Sequence, residues 1–254
     1  MMRQNYHLTI AYDGSRYYGW EHQPEQPLTI QGMLEQALLS YVGEPIEIFG
    51  AGRTDAGVHA RGMSAHARLW EMNDDRRMRS DEEIREGINA HLPEDIRVVE
   101  IRRAGKGFHA RYNALGKTYR YTCYVGENKP VFERKYVYTL NEKPDIERMR
   151  KAAEILVGEH DFASFCTNAK EMKSTVRRVD LIEIRLEGSY LTFTYHGSGF
   201  LQHMVRILTG TLLEVGFHKR EILDMKVLLE KGERASAGFM APAKGLCLEK
   251  VDYH

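Results

Sequence analysis

Several features are missing from this sequence, and each absence narrows what it encodes. No run approaches the eighteen or so consecutive apolar residues of a membrane-spanning helix. The opening stretch, MMRQNYHLTIAYDG, alternates like a strand and lacks the apolar run of a signal peptide, so a cytoplasmic location is expected. Cysteine is scarce. Cys123, Cys166 and Cys247 are odd in number, lie far apart and form no CxxC pair, which argues against a zinc ribbon or a thioredoxin-like site and for reduced thiols. No GxGxxG follows a strand and no GxxxxGK[ST] is present, so neither a dinucleotide nor a P-loop site is expected. Net charge is absent too: 36 Lys and Arg balance 36 Asp and Glu, against a globally basic nucleic-acid binder.

What is present is the pattern of a globular chain of 254 residues, 43% apolar and 28% charged, long enough for one or two domains. Strands are predicted at 5–12, 46–50, 62–70 and 95–103, with helices at 29–42 and from 80 to about 91. Ile30, Met33, Leu34, Ala37, Leu38 and Tyr41 form one apolar stripe behind a Thr29 cap, and Ser80 with Glu83 has the spacing of a capping box. Acidic residues around Asp74, Asp75, Asp81, Glu82 and Glu83 read as solvated surface and a helix first turn. Further strands are expected at 116–126, 134–138, 176–187, 190–197 and 246–252, and helices at 145–157, 201–216 and 219–231. Gly188–Ser189 marks a hairpin. Long strands with few crossover-length connections predict an α+β fold with largely antiparallel sheets and helices packed on them. Gly105 and Gly107 place the boundary between an N-terminal half, 1–104, and a C-terminal half, 105–254.

Charge is uneven along the chain. Residues 101–135 hold nine basic and two acidic residues, a local +7, interleaved with Phe108, Tyr112, Tyr119, Tyr121 and Tyr124. Lys170, Lys173, Arg177 and Arg178 follow against Glu171 alone. Cations neutralise phosphates and aromatic faces stack on bases, so these stretches suit RNA; a solvated strand face with core aromatics is the plainer alternative.

Three segments can carry chemistry. GRTDAGVHA, 52–60, sets Arg53, Asp55 and His59 among glycines on a loop between strands, which supports an exposed carboxylate on a rigid frame. Asp55 could be a nucleophile, a general base or a metal ligand, or simply close an Asx turn onto Gly57. Only His59 is close enough in sequence to share a metal, so no metal is expected. GFLQHMVR, 199–206, places Arg206 beside a buried stripe of Leu201, Met204, Val205, Leu208, Leu212 and Val215. Such a charge needs a carboxylate; Glu214 is too far along the helix, and a loop acid such as Asp55 is a candidate. In FHARYNALGKTYRYTCY, 108–124, Lys117, Tyr119 and Tyr121 share strand parity, for base stacking or a sheet core. HDFASFC, 160–166, holds Cys166 with only His160 nearby, a weak nucleophile pattern.

These segments together resemble the TruA-type tRNA pseudouridine synthase family. AYDGSRYYGW at 11–20, TIQGMLEQAL at 29–38, GRTDAGVHA, FHAR at 108–111, KTYRY at 117–121, DFASF at 161–165, GFLQHMVR and APAKGLCLEKVDY at 241–253 occur in the family's order over nearly the whole chain. The resemblance implies a pseudouridine synthase fold: two similar α+β halves, their sheets joined across a central cleft. It implies a homodimer that acts on the tRNA anticodon arm and converts uridines 38, 39 and 40 to pseudouridine without metal or organic cofactor. By the same resemblance Asp55 is the catalytic nucleophile, Tyr119 lies against the target base, Arg206 pairs with Asp55, and Arg53 handles the flipped nucleotide. His59, Arg111 and Lys117 are expected to join Arg53 in substrate binding.

The sequence departs from the family pattern at Glu21, where glutamine commonly follows the GW pair, at Met63 and Arg68 after the catalytic block, and at Phe239–Met240. Two rival classes stand beside this reading. A non-catalytic RNA-binding module would keep the basic stretch and make no use of Asp55. A nucleoside or glycoside hydrolase would need a second carboxylate, for which only Asp13 is placed, and Asp13 before Gly14 reads as a strand-end turn residue.

Overall fold

The computed structural model describes residues 3–23, 25–26, 28–70, 73–74 and 77–254; Asp75 of the acidic cluster lies outside them. The chain divides into two compact units. The first comprises residues 1–115 and 248–254, the second residues 116–247. The division thus falls after Leu115 instead of at 104, because residues 105–113 pack on the first unit's sheet. Asn5 Nδ2 donates to the Gly105 and Phe108 carbonyls, and Ala110 N–H donates to His66 Nδ1.

In the first unit, β1 (Arg3–Tyr12) lies between β3 (His59–Trp70) and β6 (Ile96–Arg103), antiparallel to both. The short β2 (Ile48–Gly50) pairs with β3, and a small ribbon joins β4 (Asn73–Asp74) to β5 (Arg77–Met78). The register puts Tyr6, Leu8 and Ile10 on the same face as Ala67, Ala65 and Met63, all buried. Helices α1 (Ile30–Val42) and α2 (Asp81–Asn89) cover that face. Burying each large aliphatic side chain there stabilises the unit by roughly 1.5–3 kcal/mol.

Both helices start where the sequence signals it. The Thr29 hydroxyl accepts from Gly32 N–H, and Ser80 and Glu83 cap each other reciprocally. α1 ends at Gly43, left-handed at φ 86°.

The opposite face of this sheet is polar yet largely buried. Asn5 and His7 of β1 share it with Ser64 and His66 of β3. His7 Nε2 bonds Ser64 Oγ at 2.6 Å, and His7 Nδ1 accepts from Arg102 Nε at 3.0 Å. The Tyr253 hydroxyl reaches both Ser64 Oγ and the Ala110 carbonyl. That ties the chain end, with β12 (Leu246–Asp252) from Leu248 onward, into the first unit.

The second unit has antiparallel strands in the order β7 (Gly116–Tyr124), β11 (Tyr190–Gly197), β10 (Val176–Glu187) and β9 (Gly158–Asp161). β10 and β11 form the expected hairpin, with Gly188 at φ 58°. Helices α3 (Ile146–Leu156), α4 (Met204–Gly216) and α5 (Asp224–Lys231) pack together, α3 against β10. Buried Tyr121, Phe193 and Tyr195 fill the centre, with the Tyr195 hydroxyl on Thr209 of α4 at 2.8 Å.

Three of the expected elements differ from the sequence reading. The strand expected at 134–138 is a 3-10 turn over Glu133–Lys135 followed by β8 (Tyr138–Thr139), which runs parallel to β7; residues 131–136 are exposed, with Val131, Phe132 and Tyr136 left unpacked. The helix expected from 201 starts at Met204 because His203 is left-handed at φ 62°. The helix expected from 219 starts at Asp224, since residues 221–226 are linked by tight i→i+3 bonds.

The buried imidazoles give the first unit a pH signature. Burial, reinforced by Arg102, lowers His7 to about 4. Burial and the neighbouring His109 lower His66 to about 4. The unfolded chain therefore binds more protons than the folded one between about pH 6.5 and 4, and stability is lost as pH falls through that window. Thermal unfolding should show Tm declining from pH 7 to pH 4.5, with a shallower decline in His7→Gln. A Tm independent of pH over this range would contradict the assignment.

Candidate active site

The loop between β2 and β3 is held by main-chain contacts from the segment that follows β1. Trp20 N–H donates to the Thr54 carbonyl at 3.1 Å, and Gly57 N–H donates to the Tyr17 carbonyl at 3.3 Å. The Tyr12 hydroxyl lies 2.8 Å from Thr54 Oγ1, both buried. Gly19 has φ 93°, and a Cβ there would sit 2.6 Å from the Thr54 carbonyl oxygen, so both its conformation and the close approach require glycine.

The loop turns on itself at Asp55. Val58 N–H donates to the Asp55 carbonyl at 3.1 Å, with Gly57 at φ 78°, the left-handed value that the third residue of a type II turn requires. The turn is thus closed by main chain, and the Gly57 N–H goes to Tyr17. Asp55 itself is half-buried at the head of this turn. Two strands and a second loop fix its backbone, as a reacting group requires.

The segment that grips the loop is itself anchored. Asp13 Oδ1 accepts from Ser15 N–H at 2.9 Å and from Ser15 Oγ, capping the turn at Gly14–Arg16. This is the strand-end role expected of Asp13, and it leaves the hydrolase reading without its second carboxylate. Asp95 accepts from Arg16 Nε and Nη2 and from the Tyr17 hydroxyl. Burial works to raise the Asp95 carboxyl, but the bonds from Arg16 and Tyr17 outweigh it and hold it below its usual range. Burial and the bond to Asp95 push the Tyr17 phenol up to about 12, so it remains a donor at any physiological pH.

His59, expected to bind substrate, opens β3 and is only 6% exposed. Its Nδ1 lies 3.1 Å from both Gly14 N and Asp13 Oδ1. His59 Nδ1 thus faces both a main-chain donor, Gly14 N–H, and a carboxylate acceptor, Asp13 Oδ1, on the segment that grips the loop. The imidazole serves as footing for the loop.

Arg53 points outward, 67% exposed, with Nη2 2.7 Å from Glu21 Oε1. Glu21 is one of the family departures, and here its carboxylate neutralises the loop's arginine. Arg111 is exposed on the separate 105–113 segment, its N–H donating to His109 Nδ1.

The remaining predicted residues belong to the second unit. The pairings Gly197↔Lys117, Tyr195↔Tyr119 and Phe193↔Tyr121 keep Lys117, Tyr119 and Tyr121 on one face. Tyr119 is 8% exposed and meets Phe200 edge-on, ring centroids 5.3 Å apart. Arg206 is locked to residue 241: its Nε donates to the Ala241 carbonyl at 2.8 Å, and its own carbonyl accepts from Ala241 N–H. Its charge also acts on the buried Tyr121 phenol, whose hydroxyl donates to the Pro242 carbonyl. Neither the Phe200 contact nor the Ala241 lock was legible beforehand, although both residues lie inside motifs already singled out.

Cys123, Cys166 and Cys247 are free thiols, and burial pushes the Cys123 thiol well up. His160 Nε2 bonds the Val157 carbonyl and Cys166 Sγ donates to Asn168 Oδ1, so that pair forms no dyad. Among the described residues no group of three His, Cys, Asp or Glu side chains is placed to hold a metal ion.

Helices packed on antiparallel sheet give the chain the α+β architecture of the pseudouridine synthase fold. A family model for tRNA pseudouridine synthase matches residues 8–113 and 152–254, and the chain belongs to that family. It is a tRNA pseudouridine synthase. Relatives named tRNA pseudouridine synthase A include one from Clostridium kluyveri, 41% identical over 98% of this chain and 100% of its own, and one from Geobacter sp., 42% identical over 98% and 99%. A protein of Clostridium perfringens named tRNA pseudouridine synthase A 2 is 38% identical over 98% of this chain and 100% of its own.

The Glu21–Arg53 pair is exposed and contributes little stability. Its consequence is electrostatic. Glu21→Gln should leave Tm unchanged, strengthen tRNA binding about two- to fivefold at low salt and steepen the salt dependence by about one phosphate contact. Weaker binding by this variant, read by filter binding across a salt series, would contradict it.

Proposed function

We propose that this enzyme isomerises uridines 38, 39 and 40 of the tRNA anticodon arm, as a homodimer in the cytoplasm, with Asp55 as nucleophile. The observation that carries this reading is the clamped turn that presents a half-buried carboxylate between Arg53 and the His59 footing. The reaction breaks the C1′–N1 glycosidic bond and forms a C1′–C5 bond. The proton on C5 departs, N1 gains one, and no redox change occurs.

Three routes are open to the carboxylate: addition at uracil C6, attack at ribose C1′, or deprotonation at C2′ through a glycal. Each requires Asp55 ionised in the ground state. Arg206 is assigned to pair with it, since a nearby cation favours the charged carboxylate. Tyr119 is assigned to stack on the target base and keep the detached uracil from leaving. Arg53, Arg111 and Lys117 are assigned to the RNA backbone, where guanidinium and ammonium groups offset the cost of extruding the nucleotide. His59 acts by holding the loop. The reaction needs no metal or organic cofactor.

Tritium release from tRNA carrying 5-³H-uridine reads the chemistry directly. Asp55→Asn should lower release by at least about 10³-fold, the range lost when a reacting group is removed, with tRNA affinity kept within about threefold. Robust release by this variant would sink the assignment. Arg206→Ala should bind tRNA and turn over far more slowly; lost binding with normal turnover of bound RNA would contradict its role. Free uracil as product would return the hydrolase reading.

A further inference from the structure

Apart from the Asp55 loop, the first unit carries a groove of about 370 Å³ lined by Arg3, Glu47, Phe49, His66, Arg68 and His109. Its floor is a run of rings. Phe49 stacks on His66 at 5.1 Å and 23°, His66 lies 4.4 Å from His109, and His109 lies 4.3 Å from Tyr112. Phe49 is 40% exposed and Tyr112 77%, large apolar faces left to solvent.

The floor is rigid. His66 is buried, and its Nδ1 accepts from Ala110 N–H, which pins the 108–112 segment against β3. Its imidazole is neutral at physiological pH, so it works as a ring and a strut rather than as a charge. A preset aromatic surface stacks on a base without first being ordered.

The walls carry opposite charges that are not spent on each other. Arg68 and Glu47 both line the groove, and neither makes an ion pair among the described residues. Arg3 also lines it, with Nη2 3.2 Å from Glu44 and its guanidinium over the Trp70 ring. Cations beside a ring floor suit a nucleotide, with the phosphate on the guanidinium and the base on the ring. The carboxylate selects the base. Uracil offers one N–H between two carbonyls that would repel Glu47. Guanine offers adjacent N1–H and N2–H donors that match two carboxylate oxygens.

We propose that this groove is a second RNA site, which takes an unpaired nucleotide of the substrate, guanosine in preference, on Phe49 and His109 with Arg68 on its phosphate and Glu47 on its base edge. The proposal rests on the enzyme's acting on tRNA but not on which residue does the chemistry.

The test uses fluorescence anisotropy with two five-nucleotide RNAs, UUGUU and UUUUU, and filter binding of a tRNA transcript. Wild type should bind UUGUU at least about threefold more tightly than UUUUU. Phe49→Ala and the surface change Arg68→Glu should each weaken UUGUU and tRNA binding about fivefold or more, the scale of losing one stacked base or one phosphate contact. Glu47→Gln should erase the preference between the two RNAs.

Unchanged binding by Arg68→Glu, which alters an exposed side chain and leaves folding intact, overturns the proposal. So does loss of self-association in Phe49→Ala with UUGUU binding intact, which would assign the face to a second copy of the chain. Tritium release by wild type with unchanged variant binding rejects this groove alone. Lost variant binding without wild-type release rejects the catalytic reading alone.

Discussion

The catalytic reading depends on one constraint: the backbone of residues 17–20 is hydrogen-bonded to the backbone of residues 54–57. Trp20 to Thr54 and Gly57 to Tyr17 are main-chain bonds on both sides, so the loop's position is set by the fold and not by a flexible side chain. The rest of the first unit supports that seam. Asp95 fixes Arg16 and Tyr17, His59 holds Gly14, and the Thr29 cap starts α1 where Ile30 N–H reaches the Gly19 carbonyl. A carboxylate carried on such a seam loses little further freedom when substrate arrives.

The polar face of the same sheet follows a different logic. His7 and His66 are buried without charge, each with Nδ1 accepting a hydrogen bond, which is how a polar group is kept inside at low cost. They lock the 105–113 segment to the first unit and shape the groove beside Phe49. The local +7 over 101–135 is divided between the two units: Arg102, Arg103, Lys106 and Arg111 lie in the first, and Lys117 onward lie in the second. The balanced net charge therefore hides local cation-rich surfaces, consistent with an enzyme that acts on RNA.

Much of this was legible in the sequence because the signals were local. Thr29, the Ser80–Glu83 box and Gly188 mark boundaries by capping and turn chemistry that act within four residues. Asp55 stood out because a loop framed by strands gives a carboxylate rigid support while leaving it accessible, although an Asx turn onto Gly57 explained it equally well. What stayed hidden depends on distant partners. Nothing near His203 announces its left-handed backbone, and the strand expected at 134–138 is exposed over residues 134–136. The return of residues 248–254 to the first unit is a matter of pairing across the chain, seen where Leu115 N–H meets the Asp252 carbonyl. His59, expected to bind substrate by the family resemblance, lies buried against Gly14, a contact across the chain that its own segment does not announce.

The seam is tested most directly at Gly19, which touches no proposed substrate contact. Gly19→Ala places a methyl group against the Thr54 carbonyl and asks alanine to hold φ 93°. Single-turnover tritium release under saturating enzyme should fall by roughly 10²-fold, the cost of about 1 Å of misplacement, while tRNA affinity and the cooperative thermal transition persist. Release at the wild-type rate from a folded Gly19→Ala enzyme would show that the seam does not set the position of Asp55.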